Sequence, residues 1–98
     1  MGQIGSKTEE LAMIMDKLLS PNGCPWDREQ THQSLSRYLI EECYEVVEAI
    51  KSGDMSQLRE ELGDVLLQVV FHAALAEREG NFNLAQVADT VAQKMINR

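Results

Sequence analysis

The chain has 98 residues, of which 44% are hydrophobic, and this is enough for one small domain with its own core. Sixteen acidic residues against nine basic ones give a net charge of −7, which excludes the basic stripe that a nucleic-acid partner requires. We find neither an apolar run near the roughly 18 residues of a membrane span nor a CxxC pair. We therefore expect a cytoplasmic protein with no membrane partner.

The predicted elements are all helices, since no segment alternates between apolar and polar residues as a strand would. The first predicted helix covers about residues 8–19, where the apolar residues recur at helical spacing. A loop is predicted to follow over residues 20–27, because Pro21, Gly23 and Pro25 interrupt that periodicity. This loop contains Trp26, the only tryptophan of the chain.

Three further helices are predicted from capping residues. The second begins after Asp27 or Thr31 and ends near residue 52, before Gly53. The third is capped by Asp54 or Ser56 and reaches about residue 79, and the fourth is capped by Asn83. The fold class predicted from these elements is all-α, a bundle of four helices.

The second and third predicted helices are apolar on almost every side. On the second, Leu35, Leu39, Val46 and Ala49 share one face, while Ile40, Tyr44 and Val47 lie on the opposite face. One chain of this size cannot cover both faces of two such helices. We therefore expect a homo-oligomer, either a dimer or a tetramer, in which a second copy completes the core.

Acidic side chains interrupt the apolar faces of both central helices. Glu42 falls in the middle of the Leu35 face of the second helix, and Glu45 lies at the edge of that face. Glu61 and Asp64 repeat the spacing of three residues on the third helix. Carboxylates gathered in this way require compensating positive charge.

The basic residues near these carboxylates are too few to balance them. Lys51 and Arg59 stand against eight acidic residues between Glu41 and Asp64. We therefore infer a divalent cation, and oxygen ligands without His or Cys favour Mg²⁺, with Mn²⁺ as a substitute.

Several of these residues also have simpler interpretations. Glu41 and Glu48 taken singly are typical of a solvated helix face, and the ExxD spacing is common by chance. Trp26 either fills the end of the bundle or stacks on a nucleobase. His72 is most simply a hydrogen-bonded residue of the core or its rim.

Two motifs give the chain a family resemblance. EECYE at 41–45, followed by ELGD at 61–64, resembles the EExxE…ExxD signature of the MazG family of nucleoside triphosphate pyrophosphohydrolases. GCPWDREQTHQSL at 23–35 and LREELGDVLLQVVFHAALAE at 58–77 are similar to neighbouring segments of that family.

The resemblance implies one all-α domain over residues 1–98 whose subunits associate. It also implies hydrolysis of an NTP or dNTP substrate to a nucleoside monophosphate and pyrophosphate. The family's metal ligands correspond to Glu42, Glu45, Glu61 and Asp64. Glu41 is then expected to orient or deprotonate the attacking water.

Further residues are candidates for contact with the substrate. Gln68 lies one helical turn beyond Asp64 on the same face, and Trp26 offers a stacking surface. The basic candidates for phosphate contact are Arg28, Arg37 and Lys51, which the sequence does not rank. The alternative function is a helical dimerisation or nucleotide-sensing module that retains the metal site.

Overall fold

The computed structural model describes residues 2–98 and contains five helices within them. These are α1 (Gly2–Leu18), α2 (Pro25–Arg28), α3 (His32–Ser52), α4 (Met55–Arg78) and α5 (Leu84–Ile96). No strand is found in residues 2–98, so the all-α prediction is confirmed. None of the helices in this part of the chain combines the length and apolarity needed to cross a membrane.

The ends of α3, α4 and α5 are set by the capping residues that the sequence predicts. The Thr31 side chain accepts a hydrogen bond from the Ser34 backbone N–H, and Asp54 and Asn83 cap α4 and α5 in the same manner. Gly53 ends α3 with a φ of 76°, a left-handed conformation that favours glycine. A turn of only two residues, Gly53 and Asp54, therefore joins α3 to α4.

Two predicted boundaries were wrong. The first helix begins at Gly2 rather than near residue 8, although Ile4 in the added turn is 84% exposed and buries nothing. The predicted loop contains the short helix α2, which makes five helices rather than four. Proline is tolerated as the first residue of a helix because the missing N–H has no partner there anyway, and Pro25 occupies this position in α2.

The core lies where α1 crosses the second half of α4. It consists of Met15, Leu19, Leu35, Val70, Phe71, Ala74 and Leu75. Every buried residue of α4 falls between Gln68 and Ala76, whereas residues 55–67 contain none. Apart from Ala49, which is buried near the turn, the buried residues of the hairpin thus lie at the end away from Gly53.

Both hairpin helices carry rows of exposed apolar side chains outside this core. The exposed apolar rows are Ile40, Tyr44 and Val47 on α3 and Leu62, Leu66 and Val69 on α4. Ile40, Tyr44 and Val47 form the second apolar face described above for the second predicted helix, and the oligomer that would cover it stays a prediction.

Candidate metal centre

The two-residue turn after α3 brings the acidic residues of the hairpin level with one another. Glu42 precedes Gly53 by 11 residues and Asp64 follows it by 11, since 53 − 42 = 64 − 53. Glu45 and Glu61 are related in the same way, since 53 − 45 = 61 − 53 = 8. Because both helices rise about 1.5 Å per residue, antiparallel packing places each pair at the same height.

Three carboxylates of the predicted ligand set converge. One oxygen each from Glu42, Glu61 and Asp64 can be chosen so that all three atoms lie within 4.8 Å of one another. Glu42 and Glu61 are half-buried, while Asp64 and Glu45 are exposed. The cluster therefore lies at the open edge of the α3–α4 interface, and not in the shielded interior that the helical wheel predicts.

The proximity of these groups shifts their protonation. Partial burial raises the pKa of Glu42, and the charge of Asp64 raises it further. Glu45 and Glu41 act on it in the same direction. Partial burial is also the largest cause of the raised pKa of Glu61, followed by a side-chain hydrogen bond with Asp64 and the charge of Glu45. Ionising these carboxylates together is thus less favourable than ionising each of them alone.

The donor set fits a hard divalent cation. The ion pairs formed within residues 2–98 are Lys7–Glu10, His32–Glu79 and Lys51–Glu48, so no basic side chain pairs with the cluster. Carboxylate oxygens are the preferred ligands of Mg²⁺ and Mn²⁺, and the open edge leaves room for water and phosphate oxygens. A bound cation would supply the positive charge that the protein does not.

Two further predicted residues lie beside the cluster. Glu41 is exposed and lies close enough to raise the pKa of Glu42 through its charge. Gln68 lies one turn from Asp64 and is only 9% exposed, and its Oε1 has no hydrogen-bond partner in residues 2–98. A buried amide oxygen without a partner points to a ligand, a water or a neighbouring donor.

Trp26 lies near the cluster through an aromatic contact. Its ring meets the Tyr38 ring edge-on, with centroids 5.8 Å apart and planes at 74°. Tyr38 is one helical turn before Glu42 on α3, and the Trp26 side chain remains 49% exposed. The exposed rings of Trp26 and Tyr38 therefore form an aromatic surface about one helical turn before Glu42.

The three basic candidates differ in their distance from the carboxylates. Arg28 precedes α3 and donates a hydrogen bond to the Pro21 carbonyl, 3.0 Å away. Lys51 pairs with Glu48 at 3.7 Å and lies nine residues beyond Glu42, or about 14 Å along the helix. Arg37 is exposed and lies four residues, or about one helical turn, before Glu41 on the same face of α3.

The two histidines form a pair that was not predicted from the sequence. His32 Nδ1 lies 2.7 Å from His72 Nδ1, across the α3–α4 interface. The sequence does indicate this pairing once the turn at Gly53 is known, because His32 lies 21 residues before Gly53 and His72 lies 19 residues after it. These near-equal separations place the two side chains within about one turn of the same height.

Comparison with known proteins gives consistent matches. Residues 30–98 match the model of the MazG nucleotide pyrophosphohydrolase domain. All of the chain aligns, at 55% identity over 98 residues, with the nucleoside triphosphate pyrophosphohydrolase/pyrophosphatase MazG of Thermotoga maritima, and covers 38% of that protein. A nucleoside triphosphate pyrophosphohydrolase of Mycobacterium tuberculosis is 50% identical over 98 residues, which are 98% of the chain and 30% of that protein.

A third relative is YabN of Bacillus subtilis, an uncharacterised protein that is 54% identical over 85 residues. These residues are 87% of the chain and 17% of YabN. The chain thus spans less than two fifths of the length of each of these three relatives.

Proposed function

The chain belongs to the MazG nucleotide pyrophosphohydrolase domain family, and from this premise we propose that it hydrolyses nucleoside triphosphates to nucleoside monophosphate and pyrophosphate in the presence of Mg²⁺. The observation that carries the proposal is the convergence of Glu42, Glu61 and Asp64. Relatives named as nucleoside triphosphate pyrophosphohydrolases support the same activity.

The roles of the acidic residues follow from their positions. Glu42, Glu61 and Asp64 would hold the cation, with Glu45 as a fourth ligand beside Glu61. When bound, Mg²⁺ supplies positive charge that offsets the carboxylates and the phosphate oxygens of the substrate. The position of Glu41, next to this set but outside it, suits a base that acts on water.

The proposed reaction is an in-line displacement at the α-phosphorus. Water held by Glu41 forms a new bond to this phosphorus, and the bond to the bridging oxygen breaks. Pyrophosphate leaves with the electron pair of that bond, and the proton of the water passes to the Glu41 carboxylate. We assign phosphate contact first to Arg37, because it is nearer to the cluster along α3 than Lys51 and Arg28 precedes the helix.

The substrate's base has a candidate surface next to the carboxylates. The exposed Trp26 ring, buttressed edge-on by Tyr38, offers a flat apolar face for stacking of a nucleobase. Gln68 is buried one turn beyond Asp64, and its unpaired Oε1 can accept a hydrogen bond from bound water or from the substrate. Stacking tolerates every base, so these residues do not select one nucleotide.

The proposal includes association with a second copy of the chain. The exposed apolar rows lie on the same two helices as the carboxylates, and covering them would remove apolar surface from water. A monomer mass in sedimentation at micromolar concentration would contradict this part of the proposal.

Pyrophosphate release from a panel of NTPs and dNTPs with Mg²⁺ tests the activity. We expect release by the parent, and a loss of at least about 100-fold in Glu42→Gln and Asp64→Asn, since several kcal/mol of charge stabilisation is removed. Glu48→Gln is the matched control on the solvated side of α3, where Glu48 pairs with Lys51, and it should retain the parent's rate.

The alternative outcome identifies a different class of protein. A parent that binds a nucleotide tightly but releases no pyrophosphate from any of the panel is a nucleotide-sensing module, and the proposed hydrolysis is then wrong.

A further inference from the structure

The two histidines meet edge to edge. Their ring planes are within 8° of parallel and their centroids are 5.0 Å apart, while the two Nδ1 atoms are 2.7 Å apart. Rings packed face to face touch at about 3.5–4.0 Å, so a 2.7 Å approach requires the rings to lie nearly in one plane. The contact is therefore a hydrogen bond from one Nδ1 to the other.

A hydrogen bond between two imidazole nitrogens holds a single proton. One Nδ1 must carry hydrogen and donate, and the other must present its lone pair. The pair keeps this bond when it is neutral and when it carries one positive charge. A second positive charge protonates both Nδ1 atoms, which removes the acceptor and places two N–H groups against each other.

The surroundings keep one ring of the pair neutral. Burial, followed by the neighbouring His32 ring, lowers the pKa of His72. The Nε2 of His32 faces the Glu79 carboxylate at 3.6 Å, a position suited to an N–H donor. His72, whose pKa is lowered, is therefore the ring suited to accept the bond from His32.

The other side of the His72 ring supports this arrangement. Its Nε2 is buried without a hydrogen-bond partner in residues 2–98, and so is Oε1 of Gln68, one turn earlier on α4. Residues four apart on a helix are neighbours, and an N–H and an amide oxygen are complementary. A His72 ring that accepts at Nδ1 carries its hydrogen on Nε2, and Gln68 is the neighbouring residue with a free acceptor among residues 2–98.

Few charged groups face the pair. Arg28, Arg78 and Glu79 line a cavity of about 320 Å³ together with His32 and Leu75.

Asp16 and Glu77 line two other cavities. They share one with Arg28 and Arg78, and the other with Val70 and Leu84 on the side of α4 that packs against α1 and α5. The remaining charged residues of α5, Asp89 and Lys94, are exposed.

We propose that His32 and His72 form a proton-dependent clamp that fastens the first turn of α3 to α4 and opens when both imidazoles are protonated. The clamp joins residues 40 positions apart in sequence. Its opening removes this tie, while Leu35, three residues after His32, still holds α3 to the core.

The segment that the clamp controls includes Trp26. Gln30 donates from Nε2 to the Trp26 carbonyl at 2.9 Å, and Ser34 in the first turn of α3 donates to Gln30 Oε1 at 2.7 Å. Movement of this turn is therefore transmitted to the only tryptophan of the chain, and intrinsic fluorescence reports it.

The chain simplifies the test because His32 and His72 are its only histidines. Long-range ¹H–¹⁵N NMR spectra of the full chain at neutral pH should show one protonated and one unprotonated Nδ1. Below pH 6.5 the histidine pair takes up fewer protons in the native state than in the unfolded state, so its contribution to stability falls as pH falls. We expect the unfolding equilibrium constant to rise by up to about tenfold per pH unit between pH 6.5 and 5, with a parallel change in Trp26 fluorescence.

The sign of this effect separates it from the carboxylates. The raised pKa values of Glu42 and Glu61 add stability as pH falls, which is the opposite direction. His72→Asn keeps an acceptor near the Nδ1 position but cannot take a proton. The fall in stability and the fluorescence change on acidification should therefore disappear, and only the opposite trend from the carboxylates should remain.

The proposal is overturned if the two rings titrate independently with both Nδ1 atoms unprotonated at neutral pH. A parent whose stability and fluorescence respond to pH between 6.5 and 5 in the same way as those of His72→Asn also overturns it. Should His72→Asn fail to fold, the spectra and unfolding curves of the parent alone decide between these outcomes.

Discussion

The two ends of the α3–α4 hairpin differ in almost every physical respect. One end, residues 32–38 and 68–78, lies away from the Gly53–Asp54 turn and is covered by α1; we call it the closed end. All seven buried residues of α4 lie here. The other end, residues 39–52 and 55–67, lies next to the turn and is not covered by α1; we call it the open end. Carboxylates gather there beside exposed apolar side chains. Stability is thus concentrated at one end and the candidate chemistry at the other.

This separation explains how the chain tolerates its acidic cluster. Bringing carboxylates together raises the pKa of Glu42 and Glu61, which means that ionising them opposes folding at neutral pH. Because the core cluster lies at the other end of the hairpin, the chain can fold despite these unfavourable charges, which then remain available to bind a cation.

The largest expected effect on stability comes from a substitution at the closed end. Leu35 is 1% exposed within the core cluster, and Leu35→Ala should lower the free energy of unfolding by about 2–5 kcal/mol in urea titrations, because it leaves a cavity. This loss should not depend on protein concentration.

Leu62→Ala at the open end provides the comparison. Leu62 is 51% exposed in the single chain, so its truncation should matter only where a second copy covers it. We expect a destabilisation that grows with protein concentration. Equal and concentration-independent losses for the two variants would contradict the division into a closed and an open end.

A smaller effect should come from the cation and act at the open end alone. With Mg²⁺ at about 100 times its Kd, the parent should gain about 2.7 kcal/mol in the free energy of unfolding. Asp64→Asn should gain little, because one of the three converging carboxylates is lost. Glu48→Gln serves as the control and should respond as the parent does; a full response of Asp64→Asn would place the cation elsewhere.

The smallest expected effect concerns the open end without metal. Since the pKa of Glu42 is raised in the folded chain, its contribution to stability is present below the ordinary value of 4.5 and is lost as pH rises through the folded pKa. Glu42→Gln should therefore raise the melting temperature slightly at pH 7, on the order of 2 °C, and should leave it unchanged near pH 3.5. A lower melting temperature at pH 7 would show that Glu42 already has a favourable partner.

Much of the fold could be predicted from local signals. Thr31, Gly53, Asp54 and Asn83 act through bonds to residues close in sequence, so their positions fix the helix ends directly. The first turns of α1 and the short helix α2 could not be predicted in this way. Neither is anchored by a buried apolar stripe, and hydrophobic periodicity is the main sequence signal for a helix.

The convergence of three acidic side chains could be predicted from the sequence, but their surroundings could not. The wheel correctly places Glu42, Glu61 and Asp64 on facing sides, because helical geometry determines direction. It does not determine how far the interface is covered, and the single chain leaves Asp64 exposed. The histidine pair depends on the height at which two helices meet, which becomes known only once the turn at Gly53 is fixed.

That two-residue turn has a consequence for inheritance. All the groups assigned to the cation come from residues 42–64, on two helices joined without an intervening segment. A gene fusion or duplication outside this stretch leaves these residues together, so the hairpin can be transferred as one unit into proteins of very different architecture. An insertion of even one residue at Gly53–Asp54, by contrast, would shift the acidic residues of α4 in height relative to those of α3.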